Sequence, residues 1–406
     1  MGNTSKDVDR GKRATKASAF SRKEKAAQNP PKKRSRKGPA MSDAAETVHP
    51  EHKATDVEIQ GDDVVCEMEE EEEMDREMIM PVNNGGKINS IVYFVNDFKW
   101  WHTTMDTIGM HGLELSGYSF LDPALLSTFV ERWHGKTSSF HMLSREMTVT
   151  LDDVQCLLNP PIKGRVLDHK GIPTKTEGVD LMIKHMGSTR EEAEHEVKTT
   201  KGAHARFGLG SHICMAWGTA ALTFLYQELT NGIVPSCKYV AGYMTLLQVW
   251  IYDYFVDTGG SLDTQYEQQY PRATKYDPTK GQSIHMSMEK MMDRLLPYDI
   301  TWTPYKDHRD VCPFEDIALY SGWIRCGPIK VRYLPERVLQ QFGYVQTIPR
   351  HPDSAANILD TVDRIDEHWL NYMDRVLTSN MLGRRTTIPS DTTPGYILWY
   401  FRISHP

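Results

Sequence analysis

Charge is segregated along this chain so sharply that its first 86 residues have no route into a hydrophobic core. Residues 1–40 carry 13 Lys/Arg against 3 Asp/Glu, and residues 41–80 carry 2 against 15. These blocks of +10 and −13, set against a whole-chain charge of −7, leave −4 for everything after residue 80. Runs of like charge repel and resist collapse. Residues 1–86 are therefore expected to be a disordered tail, basic over 1–40 and acidic over 41–80, with the fold confined to 87–406. The acidic block ends in five consecutive carboxylates, Glu69 to Glu73.

Within the basic block, Lys32, Lys33, Arg34, Arg36 and Lys37 follow Pro30-Pro31. Such a cluster suits the acidic groove of an import receptor, and it also suits nucleic-acid phosphates. Nuclear localisation is the expectation taken, with chromatin or DNA contact through this tail as a further option. A core charge of −4 lacks the basic footprint of an intrinsic DNA-binding fold.

No apolar run approaches the about 18 residues of a membrane span. The first residues have no apolar signal-peptide core. An N-myristoylation pattern is broken by Lys6 where Ser or Thr is wanted. The six cysteines are scattered without a C-x-x-C pair, so reduced thiols are expected rather than a zinc site or a disulfide framework.

The folded part reads as mainly α with a small β component. Asn83-Asn84-Gly85-Gly86 forms a linker before the apolar segment Ile88 to Trp101. Asp122-Pro123 starts a helix that buries Leu125, Leu126, Phe129, Val130 and Trp133. The period then changes: Phe140, Met142, Met147 and Val149 alternate around Ser144-Arg145, giving a short β-hairpin near 138–150. Thr150 with Asp153 caps a short helix that Asn159-Pro160-Pro161 stops. Ser188 with Glu191 is expected to cap a surface helix. Ile213–Leu229 and Tyr239–Phe255 are read as an antiparallel helix pair. Lys330–Tyr333 reads as a strand, Pro335 starts a helix ended by Gly343, and a last helix spans about 355–373.

Several blocks taken together resemble the plant mobile domain family, also called aminotransferase-like, plant mobile domain. They are Leu126-Ser127-Thr128-Phe129-Val130-Glu131-Arg132-Trp133, Phe140-His141 and Glu146-Met147-Thr148-Val149-Thr150-Leu151-Asp152-Asp153-Val154. Gly242 to Tyr252, Tyr333 to Gly343 and Trp399 to Pro406 continue the order. The chain departs from the pattern where Ser144-Arg145 replaces a glycine before Glu146-Met147, and where Asn159-Pro160-Pro161 replaces a Gly-Leu-Pro. The resemblance implies a nuclear protein of transposon-derived origin, acting in transposon silencing, gene-expression control and meristem maintenance with a phosphatase-7-like partner. The alternative is a transposon-encoded accessory or nuclease-like protein acting on DNA.

Enzymatic signatures are not found. A two-metal phosphatase needs Gly-Asp-x-His, Gly-Asp-x-x-Asp-Arg-Gly and Gly-Asn-His-Glu runs; the only Gly-Asp is Gly61-Asp62 in the acidic block. Pyridoxal-phosphate chemistry lacks its phosphate turn and an apolar-context lysine. His102 with His111, and His204 with His212, lack metal-ligand spacing. Asp152-Asp153 is explained by capping. No catalytic residue, cofactor or metal is therefore expected. Arg132, Arg337 and Arg402 fall inside the resembling blocks and read in two ways, as an interaction surface or as structural, salt-bridging arginines.

Overall fold

The computed structural model describes residues 78–82, 105–107, 109–168, 174–186, 189–199, 215–258, 260–277 and 285–404. The expected linker, the apolar segment Ile88 to Trp101 and the basic cluster lie outside these residues. Packing begins earlier than residue 87, at Ile79, whose side chain joins the main apolar core. Strand β1 (Met80–Pro81) pairs in parallel with β5 (Tyr239–Val240). Ile79 is buried, and its N–H donates to Ser127 Oγ at 3.1 Å.

Helix α1 (Pro123–Glu131) starts where Asp122 accepts from the Ala124 and Leu125 amides, both at 3.1 Å. Those donors have no partner within the helix, and the carboxylate supplies one. Three short antiparallel strands follow: β2 (Trp133–His134), β3 (Ser139–His141) and β4 (Glu146–Met147). Trp133 sits opposite Phe140, and Phe140 opposite Met147. The expected hairpin is present, extended by one strand.

Arg145, standing where the family pattern has glycine, closes the β3–β4 turn by accepting from the Met142 amide at 3.0 Å, and its side chain is buried. Its guanidinium lies 5.0 Å from the Trp302 ring centroid and donates to the Pro389 carbonyl at 3.0 Å.

Helix α2 (Leu151–Leu158) has the expected capping box. Thr150 Oγ1 accepts from the Asp153 amide, and Asp153 accepts from the Thr150 amide. Asn159 ends it in the left-handed conformation at φ 57°. Helices α3 (Lys175–Met186) and α4 (Arg190–Thr199) pack on each other through Val179, Ala193 and Val197. Their caps are Thr174 with Glu177 and Thr189 with Glu192. The second cap lies one residue beyond the expected Ser188 and Glu191; Ser188 itself is outside the described residues.

The centre of the molecule is built by α5 (Trp217–Gly232) and α6 (Met244–Tyr254). They do not form the expected antiparallel pair. Each instead packs against α1 and α2. Trp250 of α6 is fully buried, with ring centroids of Phe129, Phe140, Tyr254 and Phe255 all within 5.9 Å. These edge and tilted contacts knit α1, the small sheet and α6 into one core.

A two-stranded ladder of β6 (Ser261–Leu262) and β7 (Tyr276–Asp277) precedes α7 (His285–Met292). The hairpin of β8 (Gly322–Cys326) and β9 (Ile329–Tyr333) covers α5. Gly327 turns it at φ 55°, a conformation that glycine adopts without a Cβ penalty.

Pro335 to Phe342 forms two 3-10 turns, not the expected helix. Glu336, Arg337, Gln340 and Gln341 are all buried, so no face is free to carry an amphipathic α-helix. Gly343 does end the second turn at φ 78°. The expected last helix is also broken. Asn357 bonds its own Leu359 amide, and Thr361 caps a new helix, α8 (Val362–Leu370). Helix α9 (Tyr396–Ser404) closes the described chain and buries Tyr396 and Tyr400. No described helix is long and apolar enough to cross a membrane.

Candidate functional site

The three arginines singled out in the sequence do not gather into one surface. Arg337 is interior: its guanidinium donates to Glu146 at 2.7 Å, with side-chain exposures of 3% and 0%. Being sealed, it is not part of an interaction surface and takes the structural role. His141 Nε2 lies 3.1 Å from the same Glu146 oxygen, and Ser139 Oγ donates to it at 3.2 Å. Burial opposes the charge of Glu146, yet the His141 hydrogen bond and the Arg337 cation hold its carboxyl below the usual range. His134 stacks on His141 with centroids 4.6 Å apart, and burial followed by the His141 charge pushes its imidazole down.

Arg132 ends α1 by donating to the Thr128 carbonyl at 2.8 Å and pairs with Asp293 just beyond α7. Arg402 alone is exposed, on the last turn of α9. Lys32, Lys33, Arg34, Arg36 and Lys37 lie outside the described residues, as do His102, His204 and His212. His111 approaches Asp106 at the surface. Among the described residues no three His, Cys, Asp or Glu side chains are placed to share a metal ion.

A different grouping emerges behind α2. Asp153 is enclosed by four donors on two oxygens. Oδ2 accepts from the Thr150 amide and hydroxyl at 2.6 and 2.7 Å, and Oδ1 from Tyr254 and Tyr305 at 2.9 and 2.7 Å. Burial nevertheless pushes its carboxyl up to about 7. Asp152, its neighbour, is also buried and receives both ends of the Arg309 guanidinium at 2.7 and 2.6 Å. Arg309 is held between the rings of Tyr305 and Phe314, 5.6 and 5.5 Å from their centroids.

This assembly forms one wall of a cleft of about 530 Å³. The opposite wall is the turn at Phe342-Gly343-Tyr344, over which Arg385 stacks 4.0 Å from the Tyr344 centroid while donating to the Phe342 carbonyl at 2.8 Å. Lys306 stands exposed at the rim. The cleft thus combines flat aromatic surfaces with three cations, of which Asp152 neutralises one. Its chemistry is recognition of an anionic group beside an apolar one, by charge and by stacking.

Of the cleft residues, only those of the Tyr333 to Gly343 block were picked out from the sequence, and none as a site. The others come from separate stretches, around Tyr305 to Phe314, at Tyr344 and at Arg385. The only local hint is the interleaving of Trp302, Tyr305, Lys306, Arg309 and Phe314.

The plant mobile domain family model matches residues 109–207 and 203–401, which together take in nearly all of the described fold. The chain belongs to the plant mobile domain family. Among its relatives in Arabidopsis thaliana, Protein MAINTENANCE OF MERISTEMS is 25% identical over 350 residues, covering 68% of this chain and 71% of its own length. Protein MAIN-LIKE 2 is 27% identical over 363 residues, covering 72% and 54%. A serine/threonine-protein phosphatase 7 long form homolog is 24% identical over 375 residues, covering 73% of this chain and 28% of itself. No solved structure matches the chain.

Proposed function

We propose that this protein is a non-catalytic nuclear interaction domain of transposon-derived origin. It acts in transposon silencing, gene-expression control and meristem maintenance, together with a phosphatase-7-like protein. The observation that carries the reading is family membership across the folded body, with a relative named for the maintenance of meristems. The internal bonding supports it. The buried acids Glu146, Asp152 and Asp153 are each engaged by arginine, tyrosine, histidine or threonine partners that hold the fold together. A general base, by contrast, must be free to meet a substrate proton.

The cleft between Arg309 and Arg385 is the proposed contact for an acidic segment of the partner. Its cations complement carboxylates, and Phe314 and Tyr344 offer apolar surface beside them. The test is affinity purification of the tagged protein from nuclease-treated nuclei, with mass spectrometry of what remains bound. A phosphatase-like protein in near-stoichiometric amount supports the reading. Recovery of chromatin proteins only when nuclease is omitted, and of no phosphatase-like protein, moves the weight to direct DNA binding through the basic tail.

A further inference from the structure

Cys156 on α2 and Cys312 in the turn after Arg309 are far apart in sequence, yet their Sγ atoms lie 2.6 Å apart. Both are free thiols and both are buried. Arg309 Nη1 lies 3.5 Å from Cys156 Sγ and 3.4 Å from the Cys312 carbonyl, so the same guanidinium that holds Asp152 braces both cysteine segments. We propose that Cys156 and Cys312 are a disulfide-forming pair, a cross-linking site that ties α2 to the aromatic wall of the cleft under oxidising conditions.

The reaction is thiol–disulfide exchange with a small disulfide such as oxidised glutathione. One cysteine thiolate attacks a glutathione sulfur, forming a mixed disulfide and releasing the first glutathione thiolate. The second cysteine thiolate attacks the cysteine sulfur of that mixed disulfide and releases the second. Both protein thiols lose a proton, the two glutathione thiolates take up two protons, and the two electrons pass to glutathione. The hydrogen bond to Cys312 and burial both raise the Cys156 thiol, so exchange is slow in the folded protein. The pair lies beside Arg309, which itself lines the cleft.

A bond at this place closes a loop of more than 150 residues between α2 and the Tyr305–Phe314 wall. It would fix the spacing between Asp152 and Arg309, and with it the shape of one side of the cleft.

The test uses the full chain, exposed to oxidised glutathione both as the native protein and during refolding from denaturant, then alkylated and mapped by mass spectrometry. The expected result is a single linked peptide pair containing Cys156 and Cys312, a mass lower by two hydrogen atoms, and alkylation of four of the six cysteines. The cross-linked protein should melt roughly 5 °C higher than the reduced one. Cys156→Ser and Cys312→Ser should each lose both the link and the shift. A link that forms only on refolding still supports the pairing and assigns the barrier to burial. Six alkylated thiols after refolding, or bridges spread among the other cysteines, would overturn it.

Discussion

Glu146 and Arg337 meet at 2.7 Å across 191 residues of sequence, and both side chains are closed to solvent. The pair joins the small sheet to the turn that precedes Gly343, two stretches that also carry the family pattern. Desolvating two charges is costly, and the bond repays it only while both partners are present. The pair is therefore a constraint on which segments meet, more than a source of net stability.

Removing one partner should accordingly be severe. Arg337→Met is expected to destabilise the protein by about 3–5 kcal/mol, because Glu146 is left with only its His141 and Ser139 bonds. Replacing both residues with apolar side chains of similar volume should recover part of that loss. Urea unfolding of the single and double variants measures both.

The two buried carboxylates should give the stability curve opposite slopes. Glu146 is held below its ordinary value of 4.5, so its contribution is present above that pH and fades as pH falls further. Asp153 is pushed up to about 7 from 3.8, so its contribution is full below 3.8 and is lost as pH rises through 7. Asp153→Asn should cost about 1 kcal/mol of helix capping and flatten the dependence between those two values. Unfolding free energies measured from pH 4 to 8 check this; an unchanged slope in the variant would assign the dependence to other groups.

In the cleft, the exposed Lys306 can be reversed without touching the braces of the fold, whereas Arg309 holds Asp152 and Arg385 holds the Phe342 carbonyl. Lys306→Glu should leave the melting temperature within a few degrees of wild type and reduce partner recovery several-fold. Thermal melts and quantitative pull-downs separate these two effects.

Nuclear import is expected to depend on the basic block. Alanine at Lys32, Lys33, Arg34, Arg36 and Lys37 should shift a tagged protein to the cytoplasm, read by fluorescence. A variant that stays nuclear would refute the import assignment.

What the sequence discloses is what is local. Asp122-Pro123 and the Thr150–Asp153 box act within a single helical turn, so their residue types and spacing are enough to place two helix starts. The alternation around Phe140 and Met147 discloses the hairpin for the same reason. Pro335–Phe342 was misread because its backbone obeys distant partners. Arg337 reaches Glu146, Gln341 brackets Thr148, and Glu336 takes Ser321 and Arg350. The cleft was hidden because Arg309 and Arg385 belong to separate segments that only the folded chain brings together. The family, in contrast, was legible from contiguous blocks, all inside the family match except the end of the last, Trp399 to Pro406, which passes residue 401.

The central claim, an interaction domain without catalysis of its own, is tested most directly by reconstitution. The purified full chain would be mixed with a phosphatase-7-like protein and run by size exclusion with mass determination. The chain alone would be assayed in parallel for phosphate-ester hydrolysis with manganese. The expected outcome is one co-eluting complex that withstands nuclease, with no hydrolysis by the chain alone. Separate elution of the two proteins, or hydrolysis by the chain itself, would contradict it.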